Sequence, residues 1–144
     1  MNAGYVAICY VCNERCRFCP YTGEGFEGGM IPFERLKEIT VAKKAEQKIG
    51  IMTISGGEPT LHPHLWDFIE FLNQQDIDAV LLTNGERFCE WQYIEMVENT
   101  LTCKKKLSVI TTLHSHLERE HEFANQTPGS FNRSLKGLLK LTDM

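Results

Sequence analysis

Cys12, Cys16 and Cys19 stand in the run Cys-Asn-Glu-Arg-Cys-Arg-Phe-Cys, a CxxxCxxC spacing. Three thiolates in so short a segment make a soft sulfur site of the kind that holds iron–sulfur clusters. A [4Fe–4S] cube usually takes four cysteines, so three leave one iron open to another ligand. A structural zinc site would usually pair two short motifs, and only one is present. A ferredoxin would need further cysteines in tight spacing. Thirty-six residues after Cys19 comes Ser55-Gly56-Gly57-Glu58-Pro59. Taken alone, its two glycines mark a tight turn. Glycine also lets a ligand approach the backbone, and Glu58 offers an acceptor to an ammonium group.

Together the two segments resemble the radical S-adenosylmethionine (SAM) superfamily. The resemblance implies that the open iron is chelated by the amino and carboxylate groups of SAM. It also implies that Ser55, Gly56, Gly57 and Glu58 bind SAM, with Glu58 on the methionine amino group. Phe18 is similar to the family's aromatic residue whose backbone neighbours the adenine; as a plain loop residue it would anchor the loop beneath the cluster. Asn84, in Thr83-Asn84-Gly85, resembles a wall of the SAM pocket, although Asn-Gly is also a strong turn signal. Thr112, His114 and Ser115 resemble the end of the fourth strand, where polar side chains reach the ribose hydroxyls. Ser115 is equally suited to cap a helix. His62 and His64 read as surface or helix-cap residues.

These segments need a frame to hold them. Ala3 to Val11 reads as a buried strand, and Cys12 to Met30, with four of the eleven glycines, as a long functional loop. Pro32 to Lys48 reads as a helix with Phe33, Leu36, Ile39, Ala42, Ala45 and Ile49 on one face and Gly50 as its stop. Strands are expected over Ile51–Ile54, Ala79–Leu82 and Leu107–Leu113. Helices are expected over Pro63–Gln74, Arg87–Asn99, Glu118–Ala124 and Ser134–Leu141. Trp66, Phe68, Phe71 and Trp91 read as core.

The βαβαβαβα order predicts an α/β fold with parallel strands and right-handed crossovers. Every polar, glycine-rich segment comes just after a strand, so all should converge on the carboxyl-end rim where such folds place their sites. The resemblance implies a partial TIM-like (β/α) barrel, about four parallel βα units of a six-unit core. Residues 1–144 then form a radical SAM core domain that is expected to be incomplete at its carboxyl end, as a fragment or a truncated gene product.

The length fits one domain, and 42% hydrophobic residues suffice for a core. A net charge of −4 gives no basic footprint, so nucleic acid is not indicated as a partner. Lys104 to Lys106 reads as a solvated loop. No signal peptide or membrane span is legible, so no membrane partner is expected. Six cysteines, three of them clustered, point to metal ligation in a reducing cytoplasm. Cys9, Cys89 and Cys103 receive no role.

The expected function is reductive cleavage of SAM to methionine and a 5′-deoxyadenosyl radical, which abstracts hydrogen from an unknown substrate. An external electron donor of the flavodoxin or ferredoxin type is implied. The alternatives are a non-catalytic cluster- and SAM-binding scaffold, or an electron-transfer module. The Pro20–Met30 insert is expected to touch substrate or to cover the cluster.

Overall fold

The computed structural model describes residues 2–21, 29–102 and 106–144. Cys103, Lys104, Lys105 and residues 22–28 of the insert lie outside the described residues. Four parallel strands make one sheet in the order β1-β2-β3-β4: Asn2–Cys9, Ile49–Gly56, Asp78–Thr83 and Leu107–Thr111. Helices α1 (Phe33–Gln47), α2 (Leu65–Gln74) and α3 (Trp91–Thr102) make the crossovers, and α4 (Glu118–Asn125) and α5 (Ser130–Thr142) come after β4. The expected four-unit α/β arc is present.

Alternation along β3 shows how the sheet is layered. Ala79, Leu81 and Thr83 are buried, while Asp78, Val80 and Leu82 are half-buried. Successive side chains point to opposite faces, so one face carries the core and the other is partly open. Met52, Ile54 and Leu81 pack there in one core with Leu36, Phe68, Ile69, Leu72, Phe88 and Ile94. On β4, at the edge of the sheet, no residue is fully buried.

Several local expectations are corrected. Gly50 does not stop α1; it lies in β2, which begins at Ile49. Lys48 ends α1 in the left-handed conformation, φ 51°, with its N–H returned to Lys44 O. Of the expected stripe only Leu36 and Ile49 are buried, and Ile49 belongs to β2; Thr40 is the other buried residue of α1, and Ala42 and Ala45 are exposed. Trp91 is 59% exposed, whereas Phe68 is fully buried and Trp66 and Phe71 pack partly against the core. A short 3-10 turn over Glu86–Cys89 precedes α3, which starts later than expected, and α5 starts at Ser130, earlier than expected. Thr127, Pro128 and Gly129 separate α4 from α5, as the sequence suggests, and Gly129 immediately precedes the first residue of α5.

α5 reaches the rim because Gly137 has no side chain. A Cβ there would stand 2.2 Å from Gly85 O and 3.1 Å from Phe88 Cβ. This contact brings the middle of α5 beside the loop after β3.

Candidate functional site

The loop between β1 and α1 is pinned at its base. Tyr10 N–H donates to Gly29 O at 2.8 Å, and Ile31 N–H to Ile8 O at 2.9 Å. The β1–β2 register slips between Ala7 and Cys9, two residues of β1 facing one of β2. Such an irregularity bends a strand and re-aims the chain beyond it. The segment re-aimed in this case is the cysteine run.

The glycine pair after β2 has a visible steric purpose. Gly57 N–H donates to Cys9 O at 2.7 Å, and Glu58 N–H to Val11 O at 2.8 Å. A Cβ on Gly57 would fall 2.2 Å from Val11 O, and one on Gly56, at φ 135°, 2.2 Å from Cys9 O. The two glycines therefore let the end of β2 lie backbone-to-backbone against the start of the cysteine loop.

Cys12, Cys16 and Cys19 line one cleft at the carboxyl ends of the strands, together with Phe18, Ser55, Gly57, Asn84, Thr112 and His114. Nine of the twelve site residues expected from the sequence thus share one cavity wall, contributed by all four strand-end loops. Gly56, Glu58 and Ser115 do not line it. Gly56 is packed against Cys9. Ser115 Oγ accepts from Leu117 N–H and donates to Glu120, which orders the turn before α4.

Glu58 is 1% exposed and turned inward. Its Oε1 accepts from Thr60 N–H at 3.0 Å, Thr60 Oγ1 at 2.5 Å and Thr83 Oγ1 at 2.7 Å. Its Oε2 accepts from Asn84 N–H at 2.8 Å. Burial raises its pKa, and these four donors act against that rise. The carboxyl group ties the ends of β2 and β3 together. His62 is also buried, with Nε2 2.9 Å from Ile31 O, so it is not a surface residue. His64 does sit at the start of α2, where its ring meets Asp67 at 2.8 Å.

Residues that sequence reasoning passed over hold the cysteine loop. Asn13 Oδ1 accepts from Asn84 Nδ2, and Asn13 Nδ2 donates to Glu86 Oε2. Glu86, 5% exposed, is paired with Arg133 of α5 at 2.8 Å. Glu14 is 6% exposed; its Oε2 lies 3.4 Å from Cys16 Sγ and its Oε1 accepts from Asn125 Nδ2 at 2.8 Å. Burial, and the charge of Glu86, push the Glu14 carboxyl up to about 7, although the Cys16 hydrogen bond pulls the other way. A charged residue inside a loop carries no periodicity that would signal burial. Asn125 lies 111 positions from Glu14, and Glu86 lies 73 from Asn13.

His114 also approaches Cys16, with Nε2 3.8 Å from Sγ, and Glu14, Cys16 and His114 bring their ligand atoms within 4.8 Å of one another. The His114 ring meets Phe18 edge-on at 5.1 Å, and burial lowers its pKa. Phe18 itself is 63% exposed at the mouth of the cleft.

The donor set fits a cluster. None of the three cysteines is in a disulfide. Burial, then neighbouring carboxylates, push Cys12 up to about 11 and Cys16 up to about 12. Cysteine binds metal as the thiolate, so a cation bound in this cleft would displace these protons. The cleft also has room beside the sulfurs, walled by hydroxyl, amide and imidazole groups that can hold a polar ligand.

Comparisons with known proteins agree with this architecture. The family model described as the radical SAM superfamily matches residues 6–144. The mycofactocin maturase MftC of Mycobacterium tuberculosis is 25% identical over 80 residues, 56% of this chain and 20% of that protein. A GTP 3′,8-cyclase of Pasteurella multocida is 33% identical over 89 residues, 59% of this chain and 26% of that protein. The chain thus spans about a fifth to a quarter of these relatives. Streptococcus suis SuiB bound to S-adenosylmethionine superposes with a TM-score of 0.72 at 15% identity, over 94% of this chain and 30% of SuiB. BtrN in complex with AdoMet and 2-DOIA superposes with a TM-score of 0.63 at 20% identity, over 93% of this chain and 54% of BtrN.

Proposed function

The chain belongs to the radical SAM superfamily, and from that premise we propose that Cys12, Cys16 and Cys19 hold a [4Fe–4S] cluster while the rest of the cleft holds SAM. Proteins of this family use both cofactors. The observation that carries the reading is the shared cleft: three cysteines outside any disulfide line it together with the polar ends of all four strands.

When bound, the cluster and SAM supply a one-electron reductive cleavage that ends in hydrogen abstraction from a substrate. The chain's own part is to bind, orient and shield. Cys12, Cys16 and Cys19 would hold the cluster through their thiolates and leave it one open position for SAM. Ser55 and the backbone at Gly57 line the same cleft as the sulfurs. Asn84, Thr112 and His114 offer hydrogen-bonding groups along the nucleoside side. Phe18 offers an exposed ring face at the mouth, fit for stacking and for excluding water. Glu58 acts on SAM chiefly by fixing the Asn84 backbone, with Oε2 keeping capacity for one further donor. The electron comes from an external donor of the flavodoxin or ferredoxin type. Among the described residues no helix is long and apolar enough to cross a membrane.

Anaerobic reconstitution with iron and sulfide tests the ligand set. Cys12→Ala, Cys16→Ala and Cys19→Ala should each lose the cluster absorbance, and Cys9→Ala and Cys89→Ala should keep it. Normal iron content in Cys16→Ala overturns the assignment. SAM binding to the reconstituted protein, and 5′-deoxyadenosine formed with a chemical reductant, separate an enzyme from a scaffold.

A further inference from the structure

We propose that Glu14 and Asn125 form a latch that seats the cysteine loop on the last turn of α4, and so hold Cys16 in its ligating position before a cluster binds. The inference rests on the reading of Cys12, Cys16 and Cys19 as cluster ligands. Glu14 is in this sense a positioning residue.

A helix leaves its last carbonyls without intrahelical partners. In α4 three successive ones are taken by the cysteine loop. Asn125 O accepts from Arg15 N–H at 3.0 Å, Ala124 O from Arg17 N–H at 3.0 Å, and Phe123 O from Arg17 Nε at 3.0 Å. The Arg17 guanidinium also lies over the Phe123 ring, 4.0 Å from its centroid. Gln126, in the left-handed conformation, ends the helix there and turns the chain away. The loop backbone occupies the place of the next helical turn.

Glu14 runs through the middle of this contact. A carboxyl group is costly to bury unless it is paired. Here one oxygen is given to Asn125 and the other faces Cys16. Asn125 is itself fully buried and cannot turn away. Its Oδ1 accepts from Thr127 N–H and Ser130 Oγ, and its Nδ2 also lies 2.8 Å from Ser130 Oγ. The chain of contacts therefore runs from the α4–α5 junction to the sulfur of a cluster ligand.

Hydrogen–deuterium exchange on the full metal-free chain, read over peptide 12–19, tests the latch. Glu14→Leu removes the acceptor. Asn125→Asp keeps the acceptors for Thr127 and Ser130 but removes the amide donor that serves Glu14 and also meets His121 and Ser130. Both should speed exchange of the Arg15 and Arg17 amides about tenfold, with β2 and β3 peptides unchanged. The double variant should be no faster than either single one, as for residues acting as a unit. Glu14→Gln keeps an oxygen for Asn125 and offers an N–H toward Cys16, so it should stay within about twofold of the parent. After reconstitution, Glu14→Leu should give up iron to a chelator about tenfold faster or more, and Glu14→Gln should not. Unchanged exchange in Glu14→Leu, or equal acceleration in Glu14→Gln, overturns the proposal. Expected exchange with no cluster uptake by the parent chain overturns the cluster reading instead and leaves the latch standing.

Discussion

Replacing Glu58 by alanine should damage the fold before it damages SAM binding. The side chain is 1% exposed and serves four donors. Two of these are backbone N–H groups, of Thr60 and Asn84, which cannot rotate toward water. The Thr60 and Thr83 hydroxyls are more adaptable. Each buried donor left unsatisfied costs about 1–3 kcal/mol. Removing the buried carboxyl group returns part of that sum, because its own desolvation disappears. The net loss should be about 3–5 kcal/mol, a fall of about 10–20 °C in midpoint for a chain of this size. Glu58→Gln should cost less, about 1–3 kcal/mol. Its amide oxygen still serves Thr60 and Thr83, but its NH2 group meets the Asn84 N–H donor to donor. Urea unfolding of the metal-free chain measures both variants. An unchanged midpoint with SAM affinity lost at full iron loading would refute the argument, and would mean that the carboxylate turns to the ligand.

Four further outcomes are expected. Thr83→Val keeps the shape but removes a donor to Glu58 and an acceptor for Gly85 N–H, so it should cost about 1–2 kcal/mol by urea midpoint. Gly137→Ala places a Cβ 2.2 Å from Gly85 O and should cost about 1–3 kcal/mol by the same assay. Trp91→Ala should stay within about 0.5 kcal/mol of the parent, since Trp91 lies largely in solvent. His121 is buried, and burial followed by the His114 charge lowers its pKa. A depressed histidine stabilises above the unfolded value of about 6.5 and loses that contribution as pH falls toward its folded pKa. The urea midpoint of the parent, relative to His121→Gln, should therefore fall below pH about 6.5; a constant difference between them would contradict this.

The features legible in the sequence were local and periodic. The CxxxCxxC spacing, the glycine pair, and strands leading into polar segments are short-range signals, and the structure brings their residues to one rim. Trp91 and the α1 stripe misled because residue type and helical spacing do not say which face meets the sheet. The closing turn of α1 fell to Lys48, for no residue marks a left-handed cap as reliably as glycine, and Gly50 lies two positions too late. The site's supports were not legible at all. Asn125 meets Glu14 across 111 positions and Glu86 meets Asn13 across 73. Such pairs leave no mark in either segment read alone.

The polar ties explain why the loop after β1, though long, is not independent of the sheet. Its base is held by Gly29 and Ile8, its first residues by the backbone after β2, Asn13 by Asn84 and Glu86, and residues 14–17 by α4. Each tie reaches a different strand-end segment. Parallel pairing keeps those ends level, as with Cys9 beside Gly56 and Thr83 beside Thr111. Level ends are what allow one loop to touch all of them. A change in the register of any strand would break a tie to the cysteine loop as well as a row of sheet hydrogen bonds, so the geometry of the sulfurs is set by the whole sheet and not by the spacing of the cysteines alone.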